Sequence, residues 1–209
     1  MRIVCIAAGI FFSFSASAQV LGTESNQRLS FTGLAVEPTC MVGRTSRVTP
    51  EVVWGRFERR SYRACGATVA YNIQLGQSNW SVAPVIGVYS GGASYGSSEI
   101  IGDELRMDYS LEERYHLTAG LRVNGRISDR WSAYAGAGVT RSWMEENYIY
   151  STPWTTGSFS NKLTGNGQYV EIGATYSIGQ RSAIRAGVMH RRNDMGDNTV
   201  ASLSASFRF

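Results

Sequence analysis

The sequence predicts an all-β protein, an eight-stranded antiparallel transmembrane β-barrel, on three observations. Apolar and polar residues alternate with period two over segments of about ten residues or more, the length a tilted strand needs to cross a bilayer. Aromatic residues fall at segment ends (Trp80, Tyr115, Trp131, Trp143, Tyr169, Phe207, Phe209), where amphipathic rings favour the boundary between lipid and water. Connections alternate in length: 76–79, 125–130 and 179–182 are short, whereas 37–63, 92–112, 145–166 and, more moderately, 192–199 are long. Short periplasmic turns opposite longer external loops are the outer-membrane pattern.

Along the chain, residues 1–18 read as a secretory signal peptide. Met1-Arg2 supplies the positive start, Ile3 to Phe14 is almost wholly apolar, and Ala16-Ser17-Ala18 is an A-x-A cleavage pattern. The remaining 19–209 form one barrel domain, and no later stretch reaches 18 consecutive apolar residues, so no transmembrane helix is expected. Strands are expected at 28–36, 64–75, 80–91, 113–124, 131–144, 167–178, 183–191 and 200–209. The first is the least regular, since Leu29 and Phe31 oppose Leu34 and Val36, and a strand near 50–57 competes with it. The second sets Ala67, Val69, Tyr71 and Ile73 against Gly66, Thr68, Ala70 and Asn72. In the fourth, Tyr115, Leu117, Ala119, Leu121 and Val123 form one face and His116, Thr118, Gly120, Arg122 and Asn124 the other. The sixth repeats the split with Val170, Ile172 and Ala174 against Glu171, Gly173 and Thr175, and the eighth with Leu203, Ala205 and Phe207 against Ser204, Ser206 and Arg208.

Closure follows from the solvent. In hydrocarbon an open sheet edge leaves backbone N–H and C=O groups unpaired, and only a ring pairs them all. Eight strands enclose a bore that side chains can fill. Arg122, Arg185 and Arg208 are therefore expected inside near Glu171, because a buried guanidinium needs carboxylate partners, and the interior is expected to be plugged. Positive charge comes from scattered arginines, Lys162 being the only lysine, which argues against nucleic-acid binding. Two histidines and three cysteines are too few for a zinc centre, and no metal or cofactor is expected. Removing the leader leaves Cys40 and Cys65, an even pair in an exported chain, which suggests one disulfide.

Tyr115-His116-Leu117-Thr118-Ala119-Gly120, Arg126-Ile127-Ser128-Asp129-Arg130-Trp131-Ser132-Ala133-Tyr134 and Gly136-Ala137-Gly138 together resemble the central hairpin of the Ail/OmpX/Lom family of small bacterial outer-membrane proteins. Tyr169 to Phe209 is similar to that family's last three strands, ending in Ser206-Phe207-Arg208-Phe209 where a terminal Y-R-F is usual, and 66–90 resembles the second and third more loosely. The resemblance covers about 64–209 and departs in the longer first loop with its cysteines. It implies a monomeric barrel in the bacterial outer membrane, in contact with lipid and lipopolysaccharide and assembled by machinery that reads Phe209. It also implies loops that act in attachment, invasion or serum resistance through host-surface, matrix or serum proteins.

The first long loop holds Arg44, Arg47, Arg56, Arg59, Arg60 and Arg63 against Glu37, Glu51 and Glu58, and the second is acidic, with Glu99, Asp103, Glu104, Asp108 and Glu112 against Arg106. The third is aromatic, with Tyr148, Tyr150, Trp154 and Phe159. Arg56, Arg59, Arg60 and Arg63 are candidates for binding sulfated glycans, lipopolysaccharide phosphates or an acidic protein, and Tyr148, Tyr150 and Trp154 for an aromatic anchor. The plainer alternative is that the oppositely charged loops pair with each other. Two further readings stand beside this one. A lipid A-modifying hydrolase would carry His-x-Ser on a late strand, but Arg192 stands two residues after His190, so no enzyme is expected. Leu29 to Cys40 is similar to the first strand of fimbrial adhesin subunits, which would make the chain a soluble sandwich.

Overall fold

The computed structural model describes residues 32–48, 59–101, 104–194 and 196–209. The signal peptide, the start of the expected first strand, the competing 50–57 segment and Arg56 lie outside the described residues. Strand β1 (Gly33–Val48) is followed by β2 (Arg59–Gln74), β3 (Trp80–Ile101), β4 (Leu105–Arg126), β5 (Trp131–Ser151), β6 (Thr156–Ser177), β7 (Ser182–Asn193) and β8 (Gly196–Arg208). Each strand pairs antiparallel with the next, and β8 pairs back onto β1 to close the barrel. The closed ring with an apolar exterior is incompatible with the fimbrial sandwich. No helix among the described residues is long and apolar enough to cross a membrane.

The alternation sorts as the solvent requires. Leu117, Leu121 and Val123 face outward on β4, as do Val170 and Ile172 on β6, while Thr118, Arg122, Asn124 and Glu171 are buried. Trp80, Trp131 and Phe207 are exposed at the end of the short turns, and Tyr115 stacks on Trp143 at 5.2 Å at the other boundary. From Trp131 to Trp143, β5 rises roughly 30 Å for a strand tilted about 40°, the thickness of a hydrocarbon core. Tyr169 is not a boundary aromatic. It is buried inside the barrel, where its ring lies over Gly120 and Gly138, and Tyr134 lies likewise over Gly173 and Gly187. A Cβ on Gly138 would stand 2.7 Å from Tyr169 Cε1 and one on Gly173 2.6 Å from Tyr134 Cζ, so only glycine admits these rings.

The strands run much further than the alternation indicates. Most of 92–112 and 145–166 is strand, leaving tight tips, and β1 and β2 occupy both ends of the segment expected as the first loop. The reason is physical. Beyond the lipid, water replaces hydrocarbon outside the sheet, and the outer face no longer needs apolar residues although the backbone ladder continues. Cys40 and Cys65 are consequently not at the strand ends. They face each other directly in the β1–β2 register, and their disulfide bridges Cα atoms 4.1 Å apart. The bridge closes a separation of 25 residues, which restricts the unfolded chain by about 3 kcal/mol. Replacing both cysteines with serine is expected to lower the urea unfolding free energy by about that amount while the heat-modifiable gel shift of the folded barrel persists.

Candidate functional site

Two layers of charge fill the bore. In the lower layer, Glu37 receives Arg122 Nη1 at 2.8 Å on Oε2 and Arg185 Nη1 at 2.5 Å on Oε1. Arg122 Nε donates to Glu171 Oε1 at 2.9 Å, and Arg185 Nη2 to Asn124 Oδ1 at 3.3 Å. Both guanidinium groups sit against the Tyr134 ring, at 5.2 and 4.2 Å from its centroid. Arg208 is half-buried and lines the same lower space as Glu37 and Arg185. The voids left in this layer are about 10 Å³ each, at most room for a water molecule.

Glu37, expected as a loop charge, is thus the hub of the interior, because β1 continues through it. A second layer above was not anticipated. Arg191 donates through both terminal nitrogens to Glu113, and Ala93 N donates to Glu113 Oε2 at 3.0 Å. His116 lies beside this pair, its Nε2 3.2 Å from Tyr62 Oη, its Nδ1 3.3 Å from Gly91 O, and its ring stacked on Tyr89 at 4.9 Å. Strict alternation puts Glu113 on the outward face with Tyr115. The β4–β5 register slips between Glu113 and Tyr115, however, so that Arg114 and Tyr115 both face out while Glu113 and His116 both face in. Opposite the slip, Gly91 and Gly92 adopt φ of 84° and 156°, and a side chain on Gly92 would collide with the Glu113 carboxylate. A carboxylate predicted to face lipid beside a Gly-Gly pair was the signal of a bulge.

Arginines bound the apolar band on its external side. Arg44, Arg63, Arg114, Arg141 and Arg192 are exposed on β1, β2, β4, β5 and β7, above Val42, Val69, Leu117, Val139 and Val188 respectively. Arg114 pairs with Glu112 and Glu145, and Arg192 lies 3.7 Å from Asp197. Among the binding candidates, Arg63 is on this collar, Arg59 and Arg60 open β2, and the aromatic set is on the β5–β6 hairpin. The charged second loop does not form as a loop either: Asp108 accepts from Ser98 and pairs with Arg106 along the β3–β4 ladder, which holds its carboxyl below the usual range. His190 lies on the outer face, with Nδ1 3.0 Å from Thr199 Oγ1 on the facing strand β8.

Strands β3 to β6 rise above the band as a four-stranded sheet. Ladders run from Ile101–Leu105 through Arg106–Ser151 to Ser151–Thr156, whereas β7 meets β6 only from Gly167 downward. Tyr109 and Tyr148 both donate to Glu146 Oε1, at 3.0 and 2.8 Å, on the inner face of this sheet. Burial and the adjacent carboxylate push the Tyr148 phenol up to about 12, so it remains a donor at physiological pH. Tyr150 and Phe159 are exposed, and Trp154 stands at the tip with 88% of its surface accessible.

A family model for the outer membrane protein beta-barrel domain matches residues 6–209. Among solved structures, the chain is similar to Ail, the attachment invasion locus protein of Yersinia pestis, at 13% identity over 85% of this chain and 99% of that one, with TM-score 0.49. It is similar to Neisserial surface protein A at 12% identity over 85% and 98%, with TM-score 0.46. It is also similar to OprG from Pseudomonas aeruginosa at 11% identity over 85% and 96%, with TM-score 0.46. No curated protein sequence matches the chain.

The lower layer yields a direct expectation. Glu37→Ala leaves two buried guanidinium groups around one remaining carboxylate, and is expected to destabilise the barrel by about 3–5 kcal/mol in urea unfolding. Thr45→Ala, which removes neutral hydrogen bonds to Asn198 and Tyr95, is expected to cost about 1–2 kcal/mol in the same measurement.

Proposed function

The chain belongs to the outer membrane protein beta-barrel domain family and lies in the bacterial outer membrane; from that premise we propose that its external face is an adhesive surface for host-cell, matrix or serum molecules. The observation that carries this reading is the contrast between bore and rim. Two charged layers fill the interior, and the lower one leaves voids of only about 10 Å³, which supports a filled bore over a solute channel. The rim, by contrast, extends about 20 Å past the apolar band on β3 to β6. Surface area that neither packs the bore nor meets lipid is available for recognition.

Within that surface, the β1–β2 side is the basic element. Arg44 and Arg63 are exposed there, and Arg47, Arg56, Arg59 and Arg60 adjoin them in sequence. Such a cluster suits the sulfates of glycosaminoglycan-like chains, and the collar below it suits the phosphates of lipopolysaccharide in the same leaflet. The exposed aromatic tip of β5–β6 is a second anchor for a protein partner. Both fit the attachment role that the Ail/OmpX/Lom resemblance implies.

The test is retention on immobilised heparin and on host cells. Replacing Arg56, Arg59, Arg60 and Arg63 together with serine is expected to weaken heparin binding tenfold or more, since four exposed charge contacts contribute about 1–4 kcal/mol in sum. The heat-modifiable gel shift should not change. Unaltered heparin retention by a normally folded, surface-displayed variant would remove the basic-patch reading.

A further inference from the structure

Among the described residues, β6 has a long edge above the membrane with no strand beside it. From Thr156 to Gly165, β6 pairs with β5 on one side and, among the described residues, with nothing on the other. The edge ends at Asn166, whose N–H donates to Asp194 Oδ2 at 2.9 Å and whose carbonyl accepts Asp194 N at 3.1 Å. Ten residues span about 33 Å of backbone donors and acceptors, and exposed edges are ordinarily blunted by charge, proline or a bulge. This one carries no proline and no register slip, and its single charge is Lys162.

The sequence of the edge is close to its own mirror. Folded about Asn161, Gly157 meets Gly165, Ser158 meets Thr164, Phe159 meets Leu163, and Ser160 meets Lys162. Every match keeps the faces of the sheet: Phe159, Asn161 and Leu163 belong to the inner face, and Ser158, Ser160, Lys162 and Thr164 to the outer. In this register apolar side chains oppose apolar ones, and no lysine directly opposes another. Glu145 stands across the ladder from Lys162 and pairs with Arg114.

We infer that the Thr156–Gly165 edge pairs antiparallel with the same edge of a second copy of this chain, joining two barrels that sit in opposing membranes. The orientation follows from symmetry. Antiparallel neighbours in one sheet are related by a two-fold axis normal to that sheet, and this rotation inverts the barrel axis. Copies side by side in one membrane run their β6 strands in the same sense, so they cannot pair in this way. A groove of about 530 Å³ lies at the foot of the edge, bordered by Gln168, Arg192, Asn193 and Asp194. The register carries the β5–β6 tip of the second copy, with its exposed Trp154, toward that groove. None of the arginines proposed for heparin binding takes part, so the two readings stand or fall separately.

Vesicles of phosphatidylcholine carrying the purified protein provide the test, with clustering followed by light scattering. Wild-type vesicles are expected to cluster with no other protein present. Ser160→Lys puts lysine directly opposite Lys162 twice per interface and is expected to raise the protein density needed for clustering about tenfold. Ser160→Glu should cluster at least as well as wild type, and adding Lys162→Ser to Ser160→Lys should restore clustering. Asn161→Cys should give an oxidised dimer between two differently labelled vesicle populations, because residue 161 lies on the two-fold axis. Dispersed wild-type vesicles would overturn the inference, as would equal behaviour of the lysine and glutamate variants, or clustering only after a foreign protein is added. A gel shift on boiling confirms that each variant is folded before it is scored.

Discussion

Hydrocarbon outside the sheet cannot hydrogen-bond, and most of this structure follows from that constraint. Every N–H and C=O at membrane depth must be paired within the sheet, so β8 returns to β1 and the ring closes. Side chains are then divided by a rule opposite to that of a soluble barrel. Leucine, valine and isoleucine face out, and the polar half of each strand is driven into a narrow bore. Burying charge there is costly unless each ion is answered by another. Glu37 with Arg122 and Arg185, and Glu113 with Arg191, are that answer.

The same constraint explains why large rings and bare glycines alternate inside. Eight strands leave too little width for a side chain at every inward position. Tyr134 and Tyr169 reach across and lie on Gly173, Gly187, Gly120 and Gly138, so the bore is filled by a few long side chains over several absent ones. The Gly91–Gly92 bulge is a further device of this kind. It shifts β4 by one residue and turns Glu113 inward to meet Arg191, where regular pairing would have left the carboxylate in lipid.

Above the aromatic boundary the constraint lapses. Water now solvates both faces, and strands β3 to β6 continue without the apolar outer stripe that marks them lower down. An edge that hydrocarbon would forbid is tolerated there, which is why the open side of β6 begins only above Gly167. The surface above the boundary, on β1–β2 as on β3 to β6, is the part proposed for recognition by contact.

The sequence by itself determined the class of fold, the number of strands, the outward and inward faces of the regular strand segments, and that Arg122, Arg185 and Glu171 belong inside. Each of these follows from period-two patterning in a solvent that penalises every exception. Only the tertiary structure decided where the strands end, that Glu37 is the interior hub, and that Tyr169 packs on glycine instead of marking the boundary. It also decided that Glu113 and His116 share a face. Those features depend on register between strands distant in sequence, which local alternation does not encode. Past the bilayer, moreover, the pattern that carried the reading is no longer enforced by the surroundings, so a long strand and a polar loop are written alike.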